Sequence, residues 1–249
     1  MCTVTWWESE EGYEVFFNRD ELKDRPEALF PSLARQSSLR YLAPTDPAAG
    51  GTWILVNEHG LSLCLLNLYE SEIHPASSPT PTRLFHSRGL LLRSLAGHET
   101  LETLTETLKR GMQVPYNAFT LLAFQKKESF RAVAWEYTPD QELSGPRIAR
   151  RPISSSSFAT ETVLAKRRAD YDRRFPSTPS PEGLRAYHHS HGAESTAYTV
   201  QMNRPDAQTW AFNHLRITSR FVSLHHEAFP RGGDGPSTFA TATLPFARL

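Results

Sequence analysis

Cys2 follows the initiator methionine, so removal of Met1 would leave a thiol and a free α-amino group on one residue. A thiol attacks a carbonyl carbon as the thiolate, and its ordinary pKa of about 8.5 means that it needs a nearby base or positive charge. An α-amino group, with a pKa of about 8, can take the proton directly or through one water. Cys2 is therefore a candidate amino-terminal nucleophile, and this interpretation fails if Met1 is retained.

A polar tetrad at residues 18–21, Asn-Arg-Asp-Glu, follows a run of strand-forming residues. If residues 3–7 and 13–17 form a hairpin, the end of the second strand lies beside the start of the first, and the tetrad lies next to Cys2. An arginine there stabilises a thiolate, and a carboxylate can hold the α-ammonium group. The alternative interpretation is a polar turn with ordinary ion pairs.

Asn67 ends the apolar run at residues 61–66. A side-chain amide at the mouth of a buried strand is a suitable donor for an oxyanion, because it is neutral and the strand fixes its direction. The alternative is a strand-ending asparagine that starts a turn.

The composition is that of a soluble globular protein. Lys plus Arg and Asp plus Glu are 27 each in 249 residues, so no overall field favours nucleic acid or an acidic membrane surface. No apolar run is long enough to cross a bilayer. The two cysteines exclude a disulfide framework and no secretory signal is visible, so we expect a cytoplasmic protein. The length suits a single domain over residues 1–249.

The elements that position these residues begin with two hairpins. Short β-branched and aromatic runs predict them at 3–7 with 13–17 and at 52–56 with 61–66, and we expect both at the centre of one sheet. The segment between them, 25–51, is rich in proline and arginine and predicts a long loop over one end of the sheet. Such loops often line a site.

Two amphipathic helices are predicted next. Leucines at helical spacing run from Leu84 to Gly97, after a group of turn residues at 77–81. A second leucine set follows, in which Thr103 and Glu106 resemble a capping box. Together these helices would cover one face of the sheet.

A further hairpin is predicted at 118–125 with 129–135, followed by a helix that Ser157 would cap. That helix would turn Val163 and Tyr171 inward. The basic residues that we expect on its outer face are Lys166, Arg167, Arg168, Arg173 and Arg174.

The last third of the chain returns to strands, predicted at 197–202, 209–212 and 217–224. The order of strands, helices, strands, helix and strands predicts a layered α+β domain and not a series of βαβ units.

Several motifs in a fixed order resemble one family. They are Met-Cys-Thr at the start, Asn18-Arg19-Asp20-Glu21, Ala43-Pro44-x-Asp46, Gly50-Gly51-Thr52-Trp53-Ile54 and Leu65-Leu66-Asn67. Together they resemble the NRDE family of transport and Golgi organisation proteins. The likeness is densest over residues 1–67 and extends more loosely to about residue 209.

The NRDE family is in turn similar to amino-terminal nucleophile hydrolases of the choloylglycine hydrolase and penicillin V acylase type, which cleave amides. The resemblance implies their four-layer αββα sandwich, with Cys2 as nucleophile and base and Asn67 as oxyanion donor. It places Arg19 and Asp20 where the hydrolases have an arginine and an aspartate. Those two residues are adjacent here and separated in the hydrolases, so the carboxylate that meets the amine stays open.

Other residues follow from the same resemblance. We expect Asn18, Glu21 and Trp53 to contact the substrate. For the late arginine of the hydrolases the candidates are Arg204 and Arg220, and the Gln and Thr that follow Arg204 make it the better match.

Two classes of function follow. The first is a cysteine amidohydrolase acting on a C–N bond without a cofactor. The second is a binding or carrier protein for haem or acyl-coenzyme A, with its ligand between the sheet and the segment 25–50. Cys2 favours the first class, whereas the serines at 154–157, where the hydrolases have an asparagine, favour the second. In both classes the partner is a small molecule.

Two further clusters are interpreted as structural. The histidines within residues 188–191 invite a metal interpretation, but no Cys, Asp or Glu partner has a recognised spacing, and we expect no metal site. The basic helix at 166–174 could hold phosphate groups. Asp170 and Asp172 interrupt its charge, which favours a solvated face.

Overall fold

The computed structural model describes residues 1–69, 85–140, 142–191, 196–233 and 235–247. Its strands are β1 Cys2–Glu8, β2 Gly12–Leu22, β3 Leu29–Gln36, β4 Leu39–Thr45, β5 Ile54–Asn57, β6 Ser62–Asn67, β7 Phe119–Lys126, β8 Phe130–Thr138, β9 Glu142–Ile148, β10 Ile153–Ser155, β11 Ala207–Thr218, β12 Phe221–Ala228 and β13 Thr238–Pro245. Its α-helices are α1 Arg88–Ser94, α2 Leu101–Leu108, α3 Thr160–Arg174 and α4 Pro181–His188. No helix in these residues is long and apolar enough to span a membrane.

Within the described residues the strands form two antiparallel sheets. The first has the order β10-β1-β2-β11-β12-β13, and the second has the order β3-β4-β5-β6-β7-β8-β9. Every pair of neighbours in the second sheet consists of consecutive strands of the described residues. In the first sheet the amino-terminal hairpin of β1 and β2 lies between β10 on one side and β11 on the other. Segments that are distant in the sequence therefore pair with both strands of the hairpin.

Three apolar clusters define the layers. The largest, which includes Val4 and Leu122, lies between the two sheets. A second packs the outer face of the second sheet against α1 and α2, and Leu92 is among its residues. A third packs Phe16 on β2 against Tyr171 on α3 and the helix α4. The order of layers is helices, sheet, sheet, helices, which confirms the predicted α+β sandwich of αββα type.

The two-residue period of a strand explains how one hairpin serves two layers. Along β2, Tyr13, Val15 and Phe17 point into the cluster between the sheets, whereas Phe16 points toward α3 and α4. Both faces of the strand are covered, so both faces carry apolar side chains. The direction of every side chain in the tetrad that follows is set by this alternation.

The structure confirms the three predicted hairpins and corrects their arrangement. The pairs β1 with β2, β5 with β6 and β7 with β8 are all antiparallel neighbours. The first two hairpins were expected in one sheet, and this prediction is wrong, because they lie in different sheets that face each other. Hydrophobic alternation predicts that a strand has a buried face, but it does not say which sheet supplies the other side.

The predicted loop at 25–51 is also wrong in part, because it contains the strands β3 and β4. Strand β3 is the edge of the second sheet, where Leu29 and Leu33 are more than half exposed. An edge strand tolerates Pro31 and the polar residues around it, since one side of its backbone needs no partner. That composition is what predicted a loop.

The helices begin at residues other than those predicted. Thr100, and not Thr103, caps α2, because its hydroxyl accepts from the Thr103 backbone N–H at 3.1 Å. The N-cap of α3 is Ala159 and not Ser157. The helix α4 was not predicted. The predicted turn residues at 77–81 and Leu84 lie outside the described residues.

Two strand predictions in the last third are corrected. Residues 197–202 form turns, and the Thr199 hydroxyl donates to the Thr196 carbonyl at 2.9 Å, the kind of local bond that competes with a strand ladder. The predicted strand at 217–224 is divided, because β11 ends at Thr218 and β12 begins at Phe221. The Thr218 hydroxyl accepts the Phe221 N–H at 3.1 Å and closes that turn.

Candidate active site

Strand register places Cys2 between two potential partners. It lies opposite Arg19 of β2 on one side and opposite Ser155 of β10 on the other. The Cys2 side chain packs against the cluster between the sheets, on the same face of β1 as Val4. The predicted proximity of the tetrad to Cys2 is therefore confirmed, and the residue of the tetrad directly across from Cys2 is Arg19.

A cleft of about 470 Å³ opens at this end of the sandwich. Cys2 and Asn67 both line it, from the first and the second sheet respectively. The other lining residues are Met1, Arg19, Asp20, Glu21, Arg25, Asp46, Ala49, Gly51, Thr52, Trp53, Leu65, Phe85, His86, Ser87, Arg88, Gly89, Asn117 and Ser155. Most of these side chains are polar or charged, so the cleft suits a polar ligand.

Arg19 is held in the cleft by an aromatic ring and two carboxylates. Its guanidinium carbon lies 4.3 Å from the ring centroid of Trp53. Its Nη2 lies 3.4 Å from Glu21 and 3.6 Å from Asp46. Burial lowers the pKa of Arg19, and the two carboxylates oppose that effect. The arrangement fixes a positive charge on the cleft side of β2, next to Cys2.

The loop after β4 supplies the second carboxylate. Arg25 donates to Oδ2 of Asp46 through both Nη2 and Nε, the latter at 3.1 Å. The Ala48 N–H donates to the other oxygen, Oδ1, at 3.0 Å and helps to orient the carboxylate. Gly50 has a φ of 67°, which closes this loop. Gly51 approaches Gly89 of α1 so closely that a Cβ on Gly51 would lie 2.6 Å from the carbonyl carbon of Gly89. The absence of side chains at Gly51 and Gly89 lets α1 pack directly against the rim of the cleft.

Asn67 is placed at the cleft and already has one bond. Its Nδ2 donates to the Tyr69 hydroxyl at 2.8 Å. A side-chain amide has a second N–H. Asn67 is therefore in position to offer a hydrogen bond to a group bound beside Cys2.

Two buried donors line the cleft without a hydrogen-bond partner in the described part of the chain. They are the hydroxyl of Ser155 and Nε1 of Trp53, and both residues are 7% exposed. A buried polar group that lacks a bond costs roughly 1–3 kcal/mol, so such groups are rare unless a ligand or water completes them. Their position supports the cleft as a binding site for a molecule with hydrogen-bond acceptors.

The thiol of Cys2 is not activated while Met1 is present. Burial raises the pKa of Cys2 to about 11, and the nearby Asp20 carboxylate adds to the rise, although the terminal ammonium group and Arg19 oppose it. At neutral pH the side chain is therefore a thiol and not a thiolate. An amine on Cys2 itself would change this balance.

Met1 occupies the wall of the cleft beside Cys2. Its α-amino group lies 3.4 Å from the main-chain oxygen of Asp20 and 3.4 Å from the Tyr69 hydroxyl. Its own carbonyl accepts the Asp20 N–H at 3.0 Å. The amine of Met1 thus meets a carbonyl group and a phenol, and no carboxylate contact to it occurs among the described residues.

Comparison with known proteins identifies the family. The sequence profile of the family described as Transport and Golgi organisation 2 matches residues 1–168 of the 249. The chain belongs to the Transport and Golgi organisation 2 family. The match confirms the resemblance that the motifs of the first 67 residues indicate. No curated protein sequence matches the chain.

Two solved structures of a bile acid hydrolase have the same fold as this chain. Two crystal structures of variants of conjugated bile acid hydrolase from Clostridium perfringens have TM-scores of 0.52 and 0.55. Their sequence identities to this chain are 10% and 11%, and the matches cover 100% and 99% of this chain and 97% of each hydrolase chain. At this identity the likeness shows the fold alone, which is that of the amino-terminal nucleophile hydrolases.

In this family member the tetrad is divided between two layers. Arg19 and Glu21 face the cleft, whereas the Asn18 side chain lies fully buried on the opposite face of β2. Asn18 Nδ2 donates to the His188 carbonyl at 2.7 Å, and its Oδ1 lies 3.1 Å from His188 Nδ1. We expected Asn18 to contact the substrate, but the structure directs its side chain toward α4.

The Asp20 carboxylate also points away from Cys2. It accepts the Thr209 hydroxyl at 2.6 Å and lies 3.4 Å from Nη2 of Arg167, in a site where both charged side chains have no exposed surface. Arg167 Nη1 further donates to the Thr3 hydroxyl at 2.7 Å. Only the main chain of Asp20 has hydrogen bonds to Met1, at the edge of the cleft.

The prediction that Arg167 lies on the outer face of α3 is wrong. Its position follows from helical spacing, because Arg167 stands four residues after Val163 and four before Tyr171, and both of these are buried. The three residues form one stripe on the inner face of the helix. The sequence signal was present, but the charge of Arg167 within a basic helix concealed it.

Arg204 does not line the cleft. Its guanidinium pairs with Asp206 and lies 4.9 Å from the ring centroid of Phe158. Its buried Nη1 lacks a hydrogen-bond partner in the part of the chain that the structure describes. The buried arginine that the structure does bring to the tetrad is Arg167.

The histidine cluster forms hydrogen bonds and not a ligand set. No group of three metal-ligating side chains occurs in the described residues. His188 Nε2 lies 2.8 Å from the Thr5 hydroxyl, and His189 Nε2 lies 3.0 Å from Glu227. Burial lowers the pKa of His188 well below its usual value, so this ring is neutral.

Proposed function

We propose that this protein is an amidohydrolase in which Cys2, once Met1 is removed, is the amino-terminal nucleophile. The observation that carries the proposal is the register of Cys2 directly opposite Arg19, at a cleft that holds two buried donors without a hydrogen-bond partner among the described residues. The family and the fold support a hydrolase scaffold. The substrate is a small polar amide, in keeping with the lining of the cleft.

The first step forms a thioester. The thiol proton of Cys2 passes to its own α-amine, and Sγ attacks the carbonyl carbon of the amide to form a C–S bond. Asn67, with the hydroxyl of Ser155 as a second donor, holds the negative charge on the carbonyl oxygen. The C–N bond then breaks, and the leaving amine takes the proton from the α-ammonium group.

The second step returns the enzyme to its starting state. Water attacks the thioester carbonyl and loses a proton to the α-amine, and the C–S bond breaks. The acid leaves, and Sγ regains its proton. Arg19 stabilises the negative charge on Sγ when the thiolate attacks and when it leaves the thioester, and Trp53 and Glu21 orient Arg19.

A panel of small amides tests this function. The protein that begins at Cys2 is expected to release amine from at least one member of the panel, and Cys2→Ala is expected to abolish that release. Arg204→Gln is the matched control, since Arg204 lies outside the cleft. Equal turnover by wild type and Cys2→Ala would contradict the proposal.

A second candidate function is ligand binding without turnover. The pKa of about 11 for Cys2 beside Met1 supports it, because a chain that keeps Met1 has a cleft but no thiolate. Haemin and acyl-coenzyme A are the two ligands to titrate against the form that retains Met1. Saturable binding of either one without any product would favour this function, and absence of binding for both would exclude these ligands.

A further inference from the structure

Met1 fills a pocket beside Cys2. Its side chain is only 6% exposed and packs against Met202 and Ala207, which are also buried. The Ser156 hydroxyl lies 2.8 Å from Sδ of Met1. The first residues of a domain are generally poorly ordered unless something holds them. The burial of Met1 therefore marks a shaped apolar pocket.

The carbonyl group of Met1 is fixed as well. It accepts the Asp20 N–H at 3.0 Å, and Met1 lines the same cleft as Cys2. The methionyl group is an acyl group on the nitrogen of Cys2. Its oxygen accepts a hydrogen bond from a main-chain N–H, and its side chain lies in a pocket. If Met1 leaves, the N–H of Asp20 loses this acceptor and the pocket is vacated.

An acyl carbon bonded to the nitrogen of a cysteine lies close to the position of an acyl carbon bonded to the sulfur of the same cysteine. The two atoms are close enough to share an acyl carbon within a five-membered ring, as in an N-to-S acyl transfer. The methionyl group on Cys2 therefore approximates an acyl group on Sγ. Its chain from the carbonyl carbon to Cε contains six heavy atoms, as does the chain of a hexanoyl group.

We propose that the pocket of Met1 becomes the acyl subsite of Cys2 when Met1 is absent, and that it takes a linear aliphatic acyl chain about as long as hexanoyl. Met202 and Ala207 supply its apolar walls, and the Asp20 N–H joins Asn67 and the Ser155 hydroxyl as a donor to the acyl carbonyl oxygen. This inference rests on the proposed function, because it assigns the acyl half of the substrate to the site of Cys2. The polar part of the cleft that Cys2 lines is left for the amine half.

The test uses p-nitrophenyl esters of acetic, hexanoic, octanoic and 2,2-dimethylpropanoic acid. The protein is released from an amino-terminal fusion by cleavage directly before Cys2, so the result does not depend on processing in the cell. Sγ attacks the ester carbonyl, the C–O bond breaks, p-nitrophenolate leaves with the electron pair, and the thiol proton goes to the α-amine. The rate is read from p-nitrophenolate, and the modified residue from intact and peptide mass.

The expected result is a preference for the linear chain. After division by the rate for free cysteine, hexanoyl transfer to Cys2 should be at least tenfold faster than acetyl or 2,2-dimethylpropanoyl transfer. Ala207→Leu fills the pocket and should lower the hexanoyl-to-acetyl ratio at least fivefold. Ala240→Leu, on the outer strand β13 of the same sheet, should leave that ratio unchanged.

A second variant guards against loss of folding in Ala207→Leu. Met202→Ala enlarges the pocket, and it should move the preference from hexanoyl toward octanoyl. Circular dichroism and the Tm establish that each variant is folded. Ratios that are the same in wild type, Ala207→Leu and Met202→Ala would overturn the acyl subsite while the nucleophile remains supported.

Failure of the nucleophile gives a different result. If no ester acylates Cys2, the proposed function is wrong, and the pocket is then tested with hexanamide and acetamide on Cys2→Ala protein that lacks Met1. Chemical-shift changes that saturate with hexanamide at tenfold lower concentration than with acetamide, and that Ala207→Leu removes, would support the pocket. No difference between the two amides would overturn it.

Discussion

On the face of β2 that looks into the sandwich, Arg19 and Glu21 line an open cleft, whereas on the face toward the helices Asn18 and Asp20 are buried and bonded. The four residues are consecutive, and the pleat of the strand divides them into two pairs. Arg19 lies opposite Cys2 in the sheet, while Asp20 forms a buried ion pair with Arg167. One motif of four consecutive residues therefore supplies both side chains that line the cleft and side chains that hold β2 against the helices.

The two faces should respond to substitution in opposite ways. The helix face has its hydrogen-bond partners inside the protein, so changes there should cost stability. The cleft face keeps donors for a ligand, so changes there should alter the chemistry of Cys2 with little effect on folding.

Arg167→Met should destabilise the protein most. Removing one partner of a buried ion pair leaves the Asp20 carboxylate uncompensated, which costs about 3–5 kcal/mol of the free energy of unfolding. Urea denaturation measures the change. Arg173→Met is the matched control on the same helix, since its side chain is 75% exposed and should cost less than about 1 kcal/mol. Equal losses in both variants would break the comparison.

Asn18→Ala is the next largest effect. It leaves the carbonyls of His188 and Val200 without the amide that now donates to them, and it should cost about 1–3 kcal/mol of unfolding free energy. Thermal and urea denaturation measure the loss. If the variant keeps its stability but loses ligand binding, Asn18 acts in the cleft after all, and the assignment of its face is wrong.

Acidification should weaken the helix face through His188. Burial lowers its pKa well below the usual value, and Arg167, His189 and His214 add to that effect. The unfolded chain takes up a proton below about pH 6.5 and the folded chain does not, so stability falls as the pH falls below 6.5.

The pH dependence of the free energy of unfolding shows whether His188 causes this loss of stability. One histidine contributes at most about 1.4 kcal/mol per pH unit. Urea denaturation between pH 7 and 4.5 should give a shallower slope for His188→Gln than for wild type. His226, whose pKa burial lowers to about 4, adds a contribution that remains in the variant. Identical slopes would show that His188 is not neutral in the folded protein.

Glu21→Gln should have the smallest effect on folding. Its side chain is 28% exposed, and its loss should change the free energy of unfolding by less than about 1 kcal/mol. Arg19 would lose one of its two carboxylates, and its charge would act more strongly on Cys2. The alkylation rate of Cys2 should therefore rise. A large loss of stability would show that Glu21 contributes mainly to folding, as Asn18 and Asp20 do, and not to the chemistry of the cleft.

Local sequence predicted the hairpins and the position of the tetrad, because both depend on neighbours along the chain. The pairing of β2 with β11 depends on a segment about 190 residues away, and no local pattern shows it. The directions of Asn18 and Asp20 could have been predicted from strand alternation, starting from Phe17 in the core. Arg167 could have been predicted from its spacing to Val163 and Tyr171.

In the proposed mechanism, loss of Met1 turns Cys2 into a nucleophile. The most direct test is the pH dependence of iodoacetamide alkylation at Cys2, in the form with Met1 and in the form that begins at Cys2. The buried Cys64, whose pKa burial raises well above the usual value, is the internal control. With Met1 present, alkylation should rise only toward pH 11. Without Met1 it should rise with an apparent pKa at or below about 8.5. The same profile in both forms would contradict the claim.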